Sequence, residues 1–174
     1  EDAAVLAPLN TLACAVGELG RGTEKLQLLD EHVALVRTVY GARHPQFVVA
    51  RYNRGAALGD VGRPRQMRDE MRECLALQLS ILPPERRGRP NAKVARVMLG
   101  LADACARCGA RVERWDVLAE ALPVVVAHCG ADHPQVAALH LALRDAALDL
   151  WCEMALAADE QQSAELLQHT QQGK

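Results

Sequence analysis

Cys105-Ala106-Arg107-Cys108 is the stretch of this sequence that comes nearest to a reactive site. Two thiols in a C-x-x-C can supply half of a tetrahedral zinc site or cycle as a dithiol. Neither chemistry is completed elsewhere, because there is no second C-x-x-C and no H-x3-H. Cys105 falls on the apolar side of a helical pattern and Cys108 beside its end, so both read as packing residues. His128-Cys129 and His133 gather near a turn but lack the remaining ligands of a closed site. Asp145 with Asp149 and Asp69 with Glu73 sit one helical turn apart, a spacing ordinary on solvated helix faces. There is no G-x-S-x-G, H-E-x-x-H, phosphate loop or glycine fingerprint. The expectation is a protein that is not an enzyme and needs no metal and no cofactor.

Composition narrows the class. A net charge of −2 on 174 residues gives no basic footprint, which disfavours nucleic acid and anionic membrane as partners. Aromatic residues are 3% of the chain while Ala and Leu dominate, which argues for closely packed helices and against a β-sandwich. Cys14, Cys74, Cys105, Cys108, Cys129 and Cys152 are scattered over helical positions without a secretory segment, and read as reduced, buried thiols of a cytoplasmic protein. No apolar run approaches the roughly 20 residues a bilayer span requires. Glu1 stands where a methionine would be and already lies in a helical pattern, so the sequence reads as a piece of a longer protein.

The elements that would position any site are helices. Val5, Leu6, Leu9, Leu12, Ala13, Val16 and Leu19 recur at three- and four-residue intervals, predicting a helix that ends at Gly20. Thr23 is the expected N-cap of a second helix bearing Leu26, Leu29, Val33, Val36 and Tyr40 and running to Gly41. A third runs from Pro45 to Val61 and a fourth from Pro64 to Leu82, stopped by Pro83-Pro84. After the charged loop Glu85–Arg89, a fifth helix covers Pro90–Cys108 and a sixth Val112–Cys129, the latter with Trp115 on its apolar face and Pro123 expected to kink it. A seventh begins at Pro134 and carries Leu139, Leu143, Leu150 and Met154. No glycine follows until Gly173, so this helix can run past its predecessors, and Ser163–His169 could form one last short helix.

The punctuation repeats. Gly41-Ala42-Arg43-His44-Pro45 returns as Gly130-Ala131-Asp132-His133-Pro134, and each is preceded by a glycine 21 positions earlier, Gly20 and Gly109. Glycine can end a helix in the left-handed conformation, and proline suits the first position of the next. His44 and His133, each before a proline, are pushed out of helical geometry and mark the boundaries. This pattern, with Leu9-Asn10-Thr11-Leu12-Ala13 ahead of Gly20, Tyr52-Asn53 ahead of Gly62 and Leu101-Ala102 ahead of Gly109, resembles the tetratricopeptide repeats of kinesin light chains. Gly20 to Gly62 is 42 positions, longer than the 34-residue repeat and close to the kinesin light chain period.

The resemblance implies an all-α, right-handed superhelix of antiparallel helix hairpins, a TPR-like α-solenoid. The array would cover residues 1–158 with pairs at about 1–41, 45–82, 90–130 and 134–158, and 159–174 would be a capping helix or polar tail. It implies a concave groove lined by the first helix of each pair, which carries over to Asn10, Cys14 and Glu18, to Tyr52, Asn53 and Asp60, and to Arg96, Asp103 and Arg107. Where the family places a small alanine early in each second helix, this chain has Lys25, Met67 and Arg114, which predicts looser packing within a pair. The implied function is a non-catalytic scaffold or adaptor that binds a protein or peptide segment. The mixed charge of Glu18, Asp60 and Asp103 among the arginines favours a mixed-charge, partly apolar segment over a simple carboxylate clamp. The rival expectation is a structural subunit of a large cytoskeletal, axonemal or ribonucleoprotein assembly, held through its outer face and the 85–89 loop. A weaker rival is a sensor domain whose groove takes a small ligand.

Overall fold

The computed structural model describes residues 2–86 and 91–172. Seven α-helices follow one another: α1 Asp2–Glu18, α2 Gly22–Tyr40, α3 Pro45–Asp60, α4 Pro64–Ser80, α5 Ala92–Cys108, α6 Arg111–Cys129 and α7 Pro134–Gln172. One 3-10 turn, Pro84–Arg86, lies between α4 and α5, and no strand occurs among the described residues. Each helix packs on the next, and α3 also touches α5, so alternate helices form two layers of a coiled ribbon. The first helices of the pairs (α1, α3, α5, α7) make one layer and the second helices (α2, α4, α6) the other.

Local chemistry sets the turns. Gly41 and Gly130 hold φ of 85° and 89°, a region costly for residues with a Cβ, and their N–H groups bond back to Arg37 and Val126 carbonyls. His44 and His133 then do more than mark a boundary. Their Nδ1 atoms accept hydrogen bonds from the N–H groups of Gln46 (3.1 Å) and Gln135 (3.2 Å), so each histidine caps the helix that its proline begins. Asn91 caps α5 in the same way, accepting from Lys93 and Val94.

Within and between pairs, glycines face large side chains. A methyl group at Gly55 would fall 2.9 Å from Met71 Cε, one at Gly59 2.6 Å from Met67 Sδ, and one at Gly17 2.6 Å from Lys25 Cδ. The large residues expected to loosen the pairs are therefore housed: Met67 is buried against Gly59, and Lys25 lies along Gly17. The main core runs from Ala13 and Leu29 through Met71, Met98 and Leu118 to Leu139 and Ala146, which ties all seven helices to one apolar spine. Behind it, Glu70 is buried and takes hydrogen bonds from Arg51 (2.7 and 2.9 Å) and Arg54 (3.1 Å). The bond to Glu70 holds Arg51 more firmly charged than usual, while for Arg54 burial is outweighed by the bond to Asp30 and the field of Glu70.

Several boundaries differ from the sequence reading. α2 begins at Gly22 behind Arg21, so Thr23 lies inside the helix rather than capping it. α5 starts at Ala92, because Asn91 provides the cap that Pro90 cannot. α4 ends at Ser80, short of Leu82. α7 is continuous to Gln172, so Ser163–His169 is part of a long helix and not a separate one. α6 continues through Pro123 without interruption. Of the 85–89 loop, Glu85 and Arg86 belong to the 3-10 turn, and residues 87–90 lie outside the described residues. Val5, Leu12, Leu19, Tyr40, Trp115 and Met154, expected on apolar faces, are exposed. Cys74 and Cys105 are buried as expected, but Cys14 and Cys152 are exposed.

Glu70→Leu should cost about 2 kcal/mol of unfolding free energy, because it removes the buried carboxylate that Arg51 and Arg54 share and leaves them only the exposed Glu73 and Asp30. The partial exposure of the two arginines keeps the loss below the roughly 3–5 kcal/mol of a fully buried pair. Urea denaturation of both proteins measures it, and the double change Glu70→Leu with Arg51→Met should recover part of the loss.

Candidate functional site

The residues expected to line a groove fall on the layer made by the first helices, and the structure joins six of them in three contacts. Asn53 donates from Nδ2 to Asn10 Oδ1 at 3.1 Å, linking α3 to α1. The Arg96 guanidinium of α5 lies 4.5 Å from the centre of the Tyr52 ring on α3, a cation–π contact. The same ring sits where a methyl at Gly100 would be, 2.8 Å from Tyr52 Cε2, so the glycine lets α3 and α5 approach across Tyr52. Asp103 and Arg107 form an ion pair of 2.9 Å one turn apart on α5, and Arg107 reaches over Gly59 of α3.

The other three residues are placed differently. Asp60 turns back to α2, where Lys25 Nζ donates to it at 2.6 Å, so its charge is engaged within the fold. Cys14 and Glu18 are exposed on α1 and make no polar contact with the described residues.

Beneath the Asn10–Asn53 bond lies a pocket of about 280 Å³ that the sequence reading did not name. Leu6, Val36 and Val49 supply its apolar wall, and Gln46, Tyr40 and His32 its polar groups. His32 comes from α2, on the face that packs against α1 and α3, and is only 7% exposed. Its Nδ1 is buried without a hydrogen-bond partner among the described residues. Burial holds its pKa below the ordinary 6.5, so the ring stays neutral. The sequence offered one signal for it: a histidine on the apolar stripe of an otherwise Leu- and Val-faced helix. Further along, Leu99, Ala102 and Asp103 of α5 face Gln135, Ala138 and Ala142 of α7 across a second hollow of about 280 Å³, mostly apolar.

No protein-family profile matches the chain. No curated protein matches it either. Solved structures do. Over 83% of its length the chain superposes, with a TM-score of 0.73 and 19% identity, on a Podosopora anserina protein of nearly identical TPR-like repeats, assigned as a kinesin light chain. A point variant of that protein superposes over 86% of the chain, with a TM-score of 0.74 and 19% identity. The fold is that of TPR-like helical repeats. The chain spans 66% and 68% of the length of those two structures.

The two buried cysteines are held in the thiol form. Burial pushes the Cys105 thiol up to about 12, with the Glu113 carboxylate adding to the effect, and burial likewise pushes Cys74 up to about 12. A thiol so far from ionising is a poor nucleophile and a poor metal ligand. Cys108 lies at the end of α5, its Sγ 3.6 Å from the Cys105 carbonyl and 3.9 Å from Arg68. The acid pairs are engaged as well: Asp149 accepts from Arg114, Asp69 from Arg68 and Arg72, and Glu73 from Arg51. This face carries amide and guanidinium groups beside apolar hollows.

Because folded His32 resists protonation, the unfolded chain binds more protons than the folded one below pH 6.5. Stability should therefore be flat above that pH and fall as the pH drops through it, by at most about 1.4 kcal/mol per pH unit for this one group. His32→Gln should remove that slope in the pH 5–6.5 window, as read from chemical denaturation at a series of pH values. The contribution of Glu113, whose carboxyl is held below its ordinary 4.5 by the Arg72 fork, belongs to a lower window and should be unchanged.

Proposed function

We propose that this chain is a non-catalytic protein-interaction module that binds an extended partner segment along the layer of first helices. The observation that carries the reading is the run of contacts over consecutive first helices, from Asn10–Asn53 through Tyr52–Arg96 to Asp103–Arg107. Asparagine amides can pair with both the donors and acceptors of an extended backbone. Arg96 is exposed, and among the described residues its guanidinium has a π-face but no carboxylate, which leaves its forked donors for an acidic side chain of the partner. The hollows beside Asn10 and Ala102 would take apolar side chains. The partner segment is therefore of mixed charge and partly apolar, and the module acts as one part of a larger cytoplasmic scaffold or adaptor. The fold shared with repeats assigned to a kinesin light chain supports a protein partner and a cytoskeletal setting.

A second reading has one observation in its favour. On the outer layer, α2 and α4 flank a cleft of about 890 Å³, floored by Phe47 and the Arg51–Glu70 pair with Arg37 at its rim. A subunit held in a large assembly through its outer face would use this cleft and the 85–89 loop.

The two readings separate by mutation. Arg96→Glu combined with Arg107→Glu should lower recovery of partners in a pull-down from cell extract at least about tenfold, the equivalent of 1.4 kcal/mol, with thermal stability unchanged. Loss of partners only on deletion of residues 85–89 would instead support the outer face.

A further inference from the structure

His32 is the buried polar side chain that the fold leaves unused. Its Nδ1 has no hydrogen-bond partner among the described residues, and the residue is only 7% exposed. As with backbone groups, an orphaned buried N–H is rarer than an under-satisfied acceptor, so the ring keeps Nδ1 bare and carries its proton on Nε2. The ring lines the cavity of about 280 Å³ beneath the Asn10–Asn53 bond, where packing against Leu6 and Val36 holds that donor in place. Above it, the bond runs from Asn53 Nδ2 to Asn10 Oδ1. Asn10 Nδ2 is left as a donor and Asn53 Oδ1 as an acceptor, both on half-buried residues with no other side-chain bond among the described residues. Exchanging O and N in both amides would still leave one donor and one acceptor. None of the lining side chains carries a charge.

These groups define an occupant. A charged side chain would lose its water here and meet no countercharge. An aliphatic one would cover the donors of His32 and Asn10 without replacing their bonds to water. A carboxamide presents an oxygen with two lone pairs beside two N–H donors, the complement of two donors and an acceptor. Glutamine carries that group on a methylene stem that can lie along Leu6 and Val36. We propose that this cavity is a specificity pocket for a glutamine side chain of the partner segment, its carbonyl oxygen accepting from His32 Nε2 and Asn10 Nδ2 and its amide donating to Asn53 Oδ1. The inference rests on the groove reading and narrows it, since the apolar stem taken up beside Asn10 ends in a carboxamide.

Selection of a phage-displayed library of random peptides on the whole chain tests it. The selected peptides should share one glutamine, and replacing that glutamine by leucine or by glutamate should weaken binding at least about tenfold in isothermal titration calorimetry. His32→Leu should erase the preference for glutamine over leucine while leaving far-ultraviolet circular dichroism unchanged, and Asn53→Leu should erase it from the opposite wall. In the unaltered protein, nitrogen-15 NMR of the His32 ring should show Nε2 protonated and Nδ1 bare. Peptides that lose affinity for the Arg96→Glu, Arg107→Glu protein but share no glutamine would leave the groove reading standing and overturn the pocket. No selected peptide, or peptides indifferent to those two arginines, would overturn both. A proton on Nδ1, a glutamine preference that survives both leucine variants, or free glutamine bound as tightly as the peptides would each overturn the pocket alone.

Discussion

The close approach of first and second helices, with a glycine on one set against a long side chain on the other, is the constraint from which the rest of the fold follows. Met71 is fully buried because Gly55 leaves room for its Cε, and Met67 is buried because Gly59 leaves room for its Sδ. Methionine suits this position, since an unbranched, polarisable chain can follow an irregular gap that a β-branched residue would clash with. The same device operates between neighbouring first helices, where Gly100 receives the Tyr52 ring. That contact sets how near α5 lies to α3, and so how near Arg96 lies to Tyr52. The geometry of the first-helix layer is thus inherited from the core beneath it.

Many of the arginines are spent on bonds within the fold. Arg51 and Arg54 are bound to Glu70, Glu73 and Asp30; Arg72 forks onto Glu113 at 2.6 Å with both nitrogens; Arg114 and Arg111 reach Asp149 and Glu153. Most of these bonds join different helices, so the guanidiniums fix the angle between neighbours rather than project a field. Exposed pairs of this kind each contribute well under about 1 kcal/mol, whereas the half-buried Arg51–Glu70–Arg54 group sets orientation at a real desolvation cost. Arg96 differs from them by resting on an aromatic face with no acid attached among the described residues.

Much of this was legible in the residues. The Gly-to-His-Pro punctuation located four helix boundaries, because a positive-φ residue and a missing N–H act locally and need no tertiary help. The missing glycine after residue 130 showed that α7 could outrun its predecessors. What failed depended on context. Val5, Leu12 and Leu19 obey helical periodicity, but periodicity cannot say which apolar stripe has a neighbour, and among the described residues α1 packs on α2 by another stripe. Lys25 and Met67 looked too large for a tight pair because the compensating glycines sit on a different helix. Among the residues expected to line a groove, six meet in three contacts that residue type alone does not reveal, and Asp60 is drawn back by Lys25. His32 lay hidden in an apolar stripe, since nothing local reports that its Nδ1 has no partner.

In a linear array each helix is stabilised by its neighbours alone, so order in one helix bears on the next. α1 contributes Leu6, Ala13 and Val16 to the core but leaves its outer stripe in water, and it should be among the first elements to open in local unfolding. The Asn10–Asn53 bond and the pocket above His32 both need α1 in place. A segment lying across Asn10 and Asn53 would bind the closed state in preference to the opened one and so tighten α1 against α3, by mass action rather than by any change of shape. Order in α1 therefore bears on the next first helix, α3, whose Tyr52 meets Arg96.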